Sequence, residues 1–385
     1  MPLSSWLTAT LVTAALAVTS AAPAAAEGTL DQPGLDTTGI VVAPTSPALP
    51  DVAASSWLVG DLDTGEVLAA KDPHGRYAPA STLKMLTAVT LLPLLDGNRV
   101  IVPTFDDVNV EGSKVGLVER VSYPASELFA ALLMVSGNDA ANALSTAAGG
   151  QRATAAMMND EARELGALDT HAVNPHGLDA AGQLSSAYDL AVIARAGLAD
   201  ARFARQVGTR SATVSAPPGS PRIEIVNKNK LLRDYEGALG VKNGYTIQAR
   251  ASYVGAAERD GRRLVVTLMK ADPKVFDEAE KLLDWGFAAR TAQPVGVLAG
   301  DVPGALPEKV SGVSVLGPSA ADGPAQDGTG LPVTLAGMGL AAAAVFAVRH
   351  SPSPLPTGQR GSPRARRQAA RRRGLDGRAP LVRSG

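Results

Sequence analysis

Three short strings hold the side chains that can do covalent chemistry. The first is Ser81-Thr82-Leu83-Lys84. A serine hydroxyl is a weak nucleophile until a base stands beside it. Residues three apart on a helix share a face, so a helix opening at Ser81 sets the Lys84 amine one turn along, within reach of the hydroxyl. Lysine can be that base where burial or a neighbouring cation lowers its pKa. The helix start also turns backbone N–H groups toward an oxyanion formed at Ser81. Taken alone, the string fits a plain N-cap serine just as well.

The other two strings change that reading. Ser136-Gly137-Asn138 follows an apolar helix and precedes Asp139-Ala140-Ala141-Asn142, and Lys242-Asn243-Gly244 falls on an expected strand. S-x-x-K, S-D-N and K-T-G form one motif set, that of the β-lactamases and penicillin-binding proteins, in which the first serine is the nucleophile. Here the three occur in that order and in matching local contexts.

With these strings and their flanks the chain resembles the D-alanyl-D-alanine carboxypeptidase branch of that superfamily, the low-molecular-mass penicillin-binding proteins. The nucleophile segment reads Ala80-Ser81-Thr82-Leu83-Lys84-Met85-Leu86-Thr87-Ala88, and the second motif Ser136-Gly137-Asn138-Asp139-Ala140-Ala141. Asn174-Pro175-His176-Gly177-Leu178 and Ser186-Ala187-Tyr188-Asp189-Leu190-Ala191 resemble the family's intermediate segments. Residues 227–246, ending Gly240-Val241-Lys242-Asn243-Gly244-Tyr245-Thr246, resemble its active-site strand, and Trp285-Gly286-Phe287 the end of its last helix. The likeness covers residues 56–287.

The resemblance implies a serine-type carboxypeptidase without cofactor or metal, acting on peptidoglycan stem peptides that end in D-Ala-D-Ala and acylated by β-lactams. It implies that Ser81 attacks the carbonyl between the two D-alanines, Lys84 takes its proton, and Ser136 relays a proton to the leaving amine. Lys242 supplies positive potential, Asn138 binds the substrate amide, and the backbone N–H groups of Ser81 and Tyr245 form the oxyanion hole. Asn243, Gly244, Tyr245 and Thr246 complete the substrate-binding strand.

Some positions depart from the family pattern. Asn243 stands where Thr is usual, although an amide can also donate to a carboxylate. Arg250 stands where Gly is usual. The Arg commonly found ten residues before the final Trp is replaced by Val275, beside Lys274, so Arg250 and Lys274 are both candidates for the carboxylate-binding role. The β-rich second domain of many members has no counterpart before the linker described below.

Other assignments fit less well. His176 with Asp179 suggests a Ser-His-Asp arrangement, but no G-x-S-x-G elbow occurs, and Pro175-His176-Gly177 reads as a turn. Lys228 and Lys230 alternate as the solvated face of a strand, and Met157-Met158 read as core. A class A β-lactamase needs a Glu in an E-x-x-L-N loop after the second motif; no such string follows Ser136, although Glu161 and Glu164 lie on a helix there. A catalytically idle penicillin-binding wall sensor is the non-enzymatic alternative, supported by Asn243 and the missing Arg.

The elements that must position these residues follow from pattern. Residues 57–70 read as a β-hairpin around Asp63-Thr64-Gly65. Residues 81–95 read as a helix stopped by Asp96-Gly97. Pro124 opens a helix running to Val135, and residues 151–165 form another. Residues 241–246, 252–257 and 264–269 read as strands, the last two joined around Arg259-Asp260-Gly261-Arg262. An amphipathic helix over 273–289 turns Val275, Leu282, Leu283 and Trp285 inward and Asp277, Glu280 and Lys281 outward. Strands, helices, strands, helix predicts an α+β fold of the β-lactamase/transpeptidase-like type: an antiparallel sheet from both ends of the body, flanked by helices, with a helical subdomain.

Composition sets the surroundings. The 385 residues are 45% apolar, enough for a sizeable core. There is no cysteine, which excludes disulfides, thiolate catalysis and Cys-ligated metals, and the four histidines are scattered without a metal-binding spacing. The net charge of −1 conceals an asymmetry: from Arg349 onward ten arginines face one aspartate, leaving the rest of the chain near −10. An acidic body with a basic tail points to two environments rather than one nucleic-acid-binding surface.

The two ends read as membrane signals. Residues 1–26 resemble a secretory signal peptide, with an apolar run and Ala24-Ala25-Ala26 at its end, though no Lys or Arg precedes the run. A poorly ordered lead-in over 27–52, a catalytic domain over 53–307 and a Gly/Pro/Ala/Asp linker over 308–330 follow. Residues 331–348 are uncharged and as a helix would span about 27 Å, just short of a hydrocarbon core. The basic tail over 349–385 then belongs in the cytoplasm and the catalytic domain outside. Leu331-Pro332-Val333-Thr334 also resembles a wall-sorting signal, but Leu335 occupies the place where Gly is usual.

Overall fold

The computed structural model of the chain describes residues 34–300. The signal-like residues 1–26, the linker over 308–330, the apolar segment over 331–348 and the basic tail lie outside the described residues. Among the described residues, no helix is long and apolar enough to cross a membrane.

The chain begins with β1 (Ile40–Val42), β2 (Ser56–Asp61) and β3 (Glu66–Lys71), then a 3₁₀ turn (Ala80–Leu83) running into α1 (Lys84–Leu91). A mainly helical stretch follows: β4 (Val100–Ile101), α2 (Phe105–Val108), β5 (Tyr123–Pro124), α3 (Ala125–Met134), α4 (Asn138–Ala147), α5 (Gln151–Glu164), α6 (Ala187–Ala199) and α7 (Ala201–Gly208). The chain returns through β6 (Ser211–Val214), β7 (Ile223–Val226) and α8 (Leu231–Asp234) to β8 (Ala238–Thr246), β9 (Arg250–Arg259) and β10 (Arg262–Ala271). Helix α9 (Val275–Ala288) and β11 (Gly296–Val297) close the described part.

The main sheet has the order β1-β3-β2-β10-β9-β8, with β11 also on β3, and every pairing is antiparallel. The α+β reading therefore holds, and the first hairpin does pair with strands from the far end of the body. Both faces of β10 are covered, which explains the run Leu264, Val265, Val266, Leu268 and Met269, all buried, in place of the alternation of a half-exposed strand. On one face Val265 and Met269 join the larger core built with α1, α3 and α6. On the other, Leu264, Val266 and Leu268 pack with Leu282, Leu283 and Trp285 of α9. The inward residues expected for α9 are buried, and Asp277 and Lys281 are exposed.

The lead-in is corrected. Ile40–Val42 forms a strand in register with Lys71, Ala70 and Ala69 of β3. Leu35 is fully buried, Pro47 O accepts from Trp285 Nε1 at 3.1 Å, and Ala53 N donates to Glu278 Oε1 at 2.9 Å. The catalytic unit thus starts by residue 34, not 53. The Pro/Thr/Gly composition around it hides a β-branched Ile-Val-Val run, which gains its pairing from the otherwise open side of β3.

Candidate active site

Ser81 sits in a 3₁₀ turn rather than on the first turn of an α-helix, and Lys84 is the first residue of α1. In a 3₁₀ turn, side chains at i and i+3 eclipse. That brings Lys84 Nζ to 3.0 Å from Ser81 Oγ. The turn is pinned from outside its own sequence. Ser252 Oγ of β9 donates to Pro79 O at 2.6 Å, and Gly177 lies so close that a Cβ there would sit 1.9 Å from Ala80 O. Only glycine fits at 177, which also has φ +85.

Lys84 is fully buried and has two further contacts. Its Nζ donates to Asn138 Oδ1 at 2.7 Å and to the backbone oxygen of His176. Both oxygens can only accept. A neutral amine has two N–H groups and one lone pair, so with both protons committed the lone pair faces Ser81 Oγ, as a general base requires. Burial holds the Lys84 pKa well below the usual lysine value, followed by the charges of Lys242 and Lys228, while Asp139 pulls the other way.

Ser136 lies at the junction of α3 and α4, two residues before Asn138, whose side chain contacts Lys84. Its φ is +65, in the left-handed region, and its hydroxyl is buried with no hydrogen-bond partner among the described residues. A buried unpartnered hydroxyl is costly in a resting protein and suits a group whose partner arrives with substrate. Asn138 opens α4, its N–H donating to Ser113 O at 2.7 Å and its Nδ2 to Glu111 O at 2.6 Å. That loop is held by Asp139, a fully buried carboxylate accepting from the N–H groups of Val115, Gly116 and Leu117 at 2.9–3.0 Å. Asp139 is thus a positioning residue that reading the motif left without a role.

Residues 227–237 are a loop and the short α8, so the active-site strand proper is β8. Its outer edge is unpaired in the main sheet, and it crosses directly against the nucleophile. A Cβ at Gly244 would meet Ser81 N at 2.6 Å, so the family glycine here permits close approach of two backbones. Lys242 is buried on β8 and donates to Asn243 O at 2.8 Å. Its pKa is pushed down to about 7, by burial first and then by Lys228. Tyr245 is exposed, and Thr246 Oγ1 donates to Asp179 Oδ1 at 2.7 Å.

Lys228 corrects an expectation. It lies beyond the end of β7, not on a strand face, and although exposed it is close enough for its charge to bear on both Lys84 and Lys242. Its Nζ reaches Ser113 Oγ at 3.4 Å. Alternation with Lys230 could not reveal this, because the proximity is set by the fold. His176 and Asp179 do not form a Ser-His-Asp arrangement: His176 Nδ1 accepts from Leu178 N at 3.3 Å and Asp179 is bonded to Thr246, while burial, then Lys84, lowers the His176 pKa to about 4. The turn reading of Pro175-His176-Gly177 holds, with Gly177 N donating to Asn174 Oδ1 at 2.8 Å. Glu161 lines an apolar groove with Val89, Leu92 and Phe203. Among the described residues no cluster of His, Cys, Asp or Glu could hold a metal ion.

Of the two candidates for a carboxylate-binding cation, Arg250 stands opposite Thr246 in the β8–β9 pairing and is ion-paired with Asp272. Its φ of +56 accounts for the glycine usual at this position. Lys274 is exposed at the N-cap of α9.

A serine paired with a buried lysine, a second serine and a second buried lysine, on an antiparallel sheet with a helical subdomain, defines the active-site-serine class of penicillin-interacting enzymes. Within it, residues 43–273 match the family model of D-alanyl-D-alanine carboxypeptidase, the S11 peptidases, and the chain belongs to that family. D-alanyl-D-alanine carboxypeptidase DacB2 of Mycobacterium tuberculosis is 45% identical over 257 residues, covering 65% of this chain and 88% of that one. DacD of Escherichia coli, a D-alanyl-D-alanine carboxypeptidase, is 36% identical over 262 residues, covering 63% of this chain and 65% of that one. Among solved structures, a D-alanyl-D-alanine carboxypeptidase from Mycobacterium tuberculosis aligns with TM-score 0.64 and 44% identity, over 67% of this chain and all of that one. A Streptomyces DD-transpeptidase aligns with TM-score 0.60 and 28% identity, over 63% of this chain and 100% of that one.

Proposed function

We propose that this serine-type D-Ala-D-Ala carboxypeptidase removes the terminal D-alanine of peptidoglycan stem peptides through an acyl-enzyme on Ser81, and that β-lactams acylate the same serine. The observation that carries the reading is the triple contact of Lys84, which leaves a lone pair for the Ser81 hydroxyl.

Ser81 Oγ attacks the carbonyl between the two D-alanines as its proton passes to Lys84. The oxyanion is received by the backbone N–H groups of Ser81 and Tyr245, a placement supported by the close crossing of Gly244 over Ser81. Asn138 holds the substrate amide. The Ser136 hydroxyl, without a partner among the described residues, relays a proton to the departing amine. Lys242, with a pKa of about 7, gains its proton more fully when a carboxylate arrives beside it, so its positive potential strengthens on binding. Asn243 and Arg250 share the carboxylate, with Thr246 at the far end of the strand. Water then attacks the acyl-enzyme, with Lys84 again the base.

The test is a fluorescent penicillin combined with an assay for D-alanine release. Labelling with release is expected. Labelling without release would indicate a wall sensor, and rapid loss of label with destruction of the antibiotic a β-lactamase.

For location, the reading is a catalytic domain exported by residues 1–26 and held on the outer face by residues 331–348, with the arginine-rich tail inside. Its support is the agreement in topology between the two ends of the sequence.

A further inference from the structure

The turn that ends the active-site strand is tied to a second loop. Thr246 closes β8 and Arg250 opens β9, with Ile247, Gln248 and Ala249 between them. Ile247 and Gln248 are exposed, so packing does little to hold this tip. Polar contacts hold it instead. Thr246 Oγ1 accepts from Ala249 N at 3.0 Å and donates to Asp179 Oδ1 at 2.7 Å. The second carboxylate oxygen, Asp179 Oδ2, accepts from Gln248 N at 3.4 Å. A hydroxyl has one hydrogen to donate, and that of Thr246 is committed to Asp179 rather than offered to a substrate.

Asp179 belongs to a loop that touches the nucleophile segment at three points. Pro175 O accepts from Thr87 Oγ1 at 2.6 Å, His176 O accepts from Lys84 Nζ, and Gly177 leaves no room for a Cβ beside Ala80 O. The loop is itself braced, since Asn174 Nδ2 and Gln183 Nε2 both donate to Leu178 O, at 2.9 and 2.6 Å.

These contacts close a ring. Ala249 is buried in a small cluster with Ala78 and Ala80. Ala80 meets Gly177, Asp179 follows two residues on, Asp179 holds Thr246, and Thr246 holds Ala249. Ala80 has φ +48, a left-handed conformation unfavourable for a residue with a Cβ. Such a conformation persists where its surroundings over-determine it. Ser81 follows Ala80 and Tyr245 precedes Thr246, so each of the two oxyanion N–H groups is one residue from a member of the ring.

We propose that Asp179 is a positioning residue for the oxyanion hole. By holding Thr246 and the β8–β9 tip against Ala80, it fixes the separation of the Ser81 and Tyr245 N–H groups. The inference rests on the carboxypeptidase reading. Donors fixed in advance act on charge that develops in the transition state and add little to ground-state binding. Loss of the clasp therefore lowers kcat and leaves KM in place.

The experiment measures kcat and KM for a D-Ala-D-Ala peptide together with affinity for a peptide boronic acid, whose tetrahedral adduct on Ser81 places a hydroxyl where the oxyanion forms. Asp179→Ala is expected to lower kcat about tenfold, part of the roughly hundredfold that a 1 Å misplacement costs, with KM within about twofold. Boronic acid affinity falls by a similar factor. Thr246→Val gives the same pattern, Thr246→Ser keeps wild-type values, and the variant carrying both Asp179→Ala and Thr246→Val is no slower than either alone. An unchanged kcat in Asp179→Ala overturns the inference. So does a rise in KM alone, a boronic acid affinity that does not follow kcat, a Thr246→Ser variant as slow as Thr246→Val, or additive losses in the double variant. Each of these leaves the carboxypeptidase reading standing while the wild-type protein releases D-alanine. A wild-type protein that releases none, labelled by penicillin or not, removes that reading and the inference with it.

Discussion

The Nζ of Lys84 donates to Oδ1 of Asn138 at 2.7 Å, so the base of the first motif is oriented by the amide of the second. The other end of that amide is tied to Glu111 O, on a loop held by the buried carboxylate of Asp139. With Lys84 as the proposed base, proton transfer at Ser81 would depend on residues about thirty to sixty positions away in the chain.

Ser81→Ala is expected to abolish both penicillin labelling and D-alanine release. Lys84→Met should leave a folded protein acylated about 10²–10⁴-fold more slowly, the usual worth of a general base. Residual covalent labelling of the Ser81→Ala protein at another residue, found by peptide mass mapping, would refute the nucleophile assignment.

Lys228→Gln tests the electrostatic coupling. The reaction needs neutral Lys84, so kcat/KM falls as pH drops through the Lys84 pKa. Lys228 helps to hold that pKa down, after burial and Lys242. Removing its charge raises the Lys84 pKa, and the acidic limb of the profile moves to higher pH. Lys228→Arg keeps the charge and should restore the limb, whereas a merely structural role would change the rate without moving it. An unmoved limb in the Gln variant contradicts the coupling.

Replacing Asn243→Thr restores the usual family residue with a smaller donor. Activity should stay within about tenfold, since one hydrogen bond is worth roughly 0.5–1.5 kcal/mol net. A thousandfold loss would give Asn243 a role of its own. Arg250→Gly separates stability from binding at the same strand. Relief of the left-handed backbone at 250 should raise the melting temperature, with a stabilisation of about 1–2 kcal/mol, while KM for D-Ala-D-Ala peptides rises as carboxylate affinity falls. An unchanged KM would remove Arg250 from the substrate site and leave Lys274 as the candidate.

Anchoring is tested by fractionating cells that express the whole chain or one ending at Thr329. Detergent should release the whole protein, and the truncated one should be secreted. Whole protein released only by wall-digesting enzymes would favour sorting after Thr334.

Local sequence determined much of this protein by itself. The spacing of Ser81 and Lys84, the Ser136-Gly137-Asn138 and Lys242-Asn243-Gly244 strings and their order state the chemistry, because each rests on contacts within one turn or one strand. The β9–β10 hairpin and the inward face of α9 were legible for the same reason, being periodic patterns over short stretches. Ile40–Val42 was hidden, since its pairing partner on β3 lies about thirty residues on. Only the tertiary structure decided that β8 lies across Ser81, that the charge of Lys228 bears on both Lys84 and Lys242, and that Lys84 meets Asn138 Oδ1 and His176 O as well as Ser81 Oγ. Burial and through-space charge set how readily an amine gives up its proton, and both depend on which distant segments pack around it.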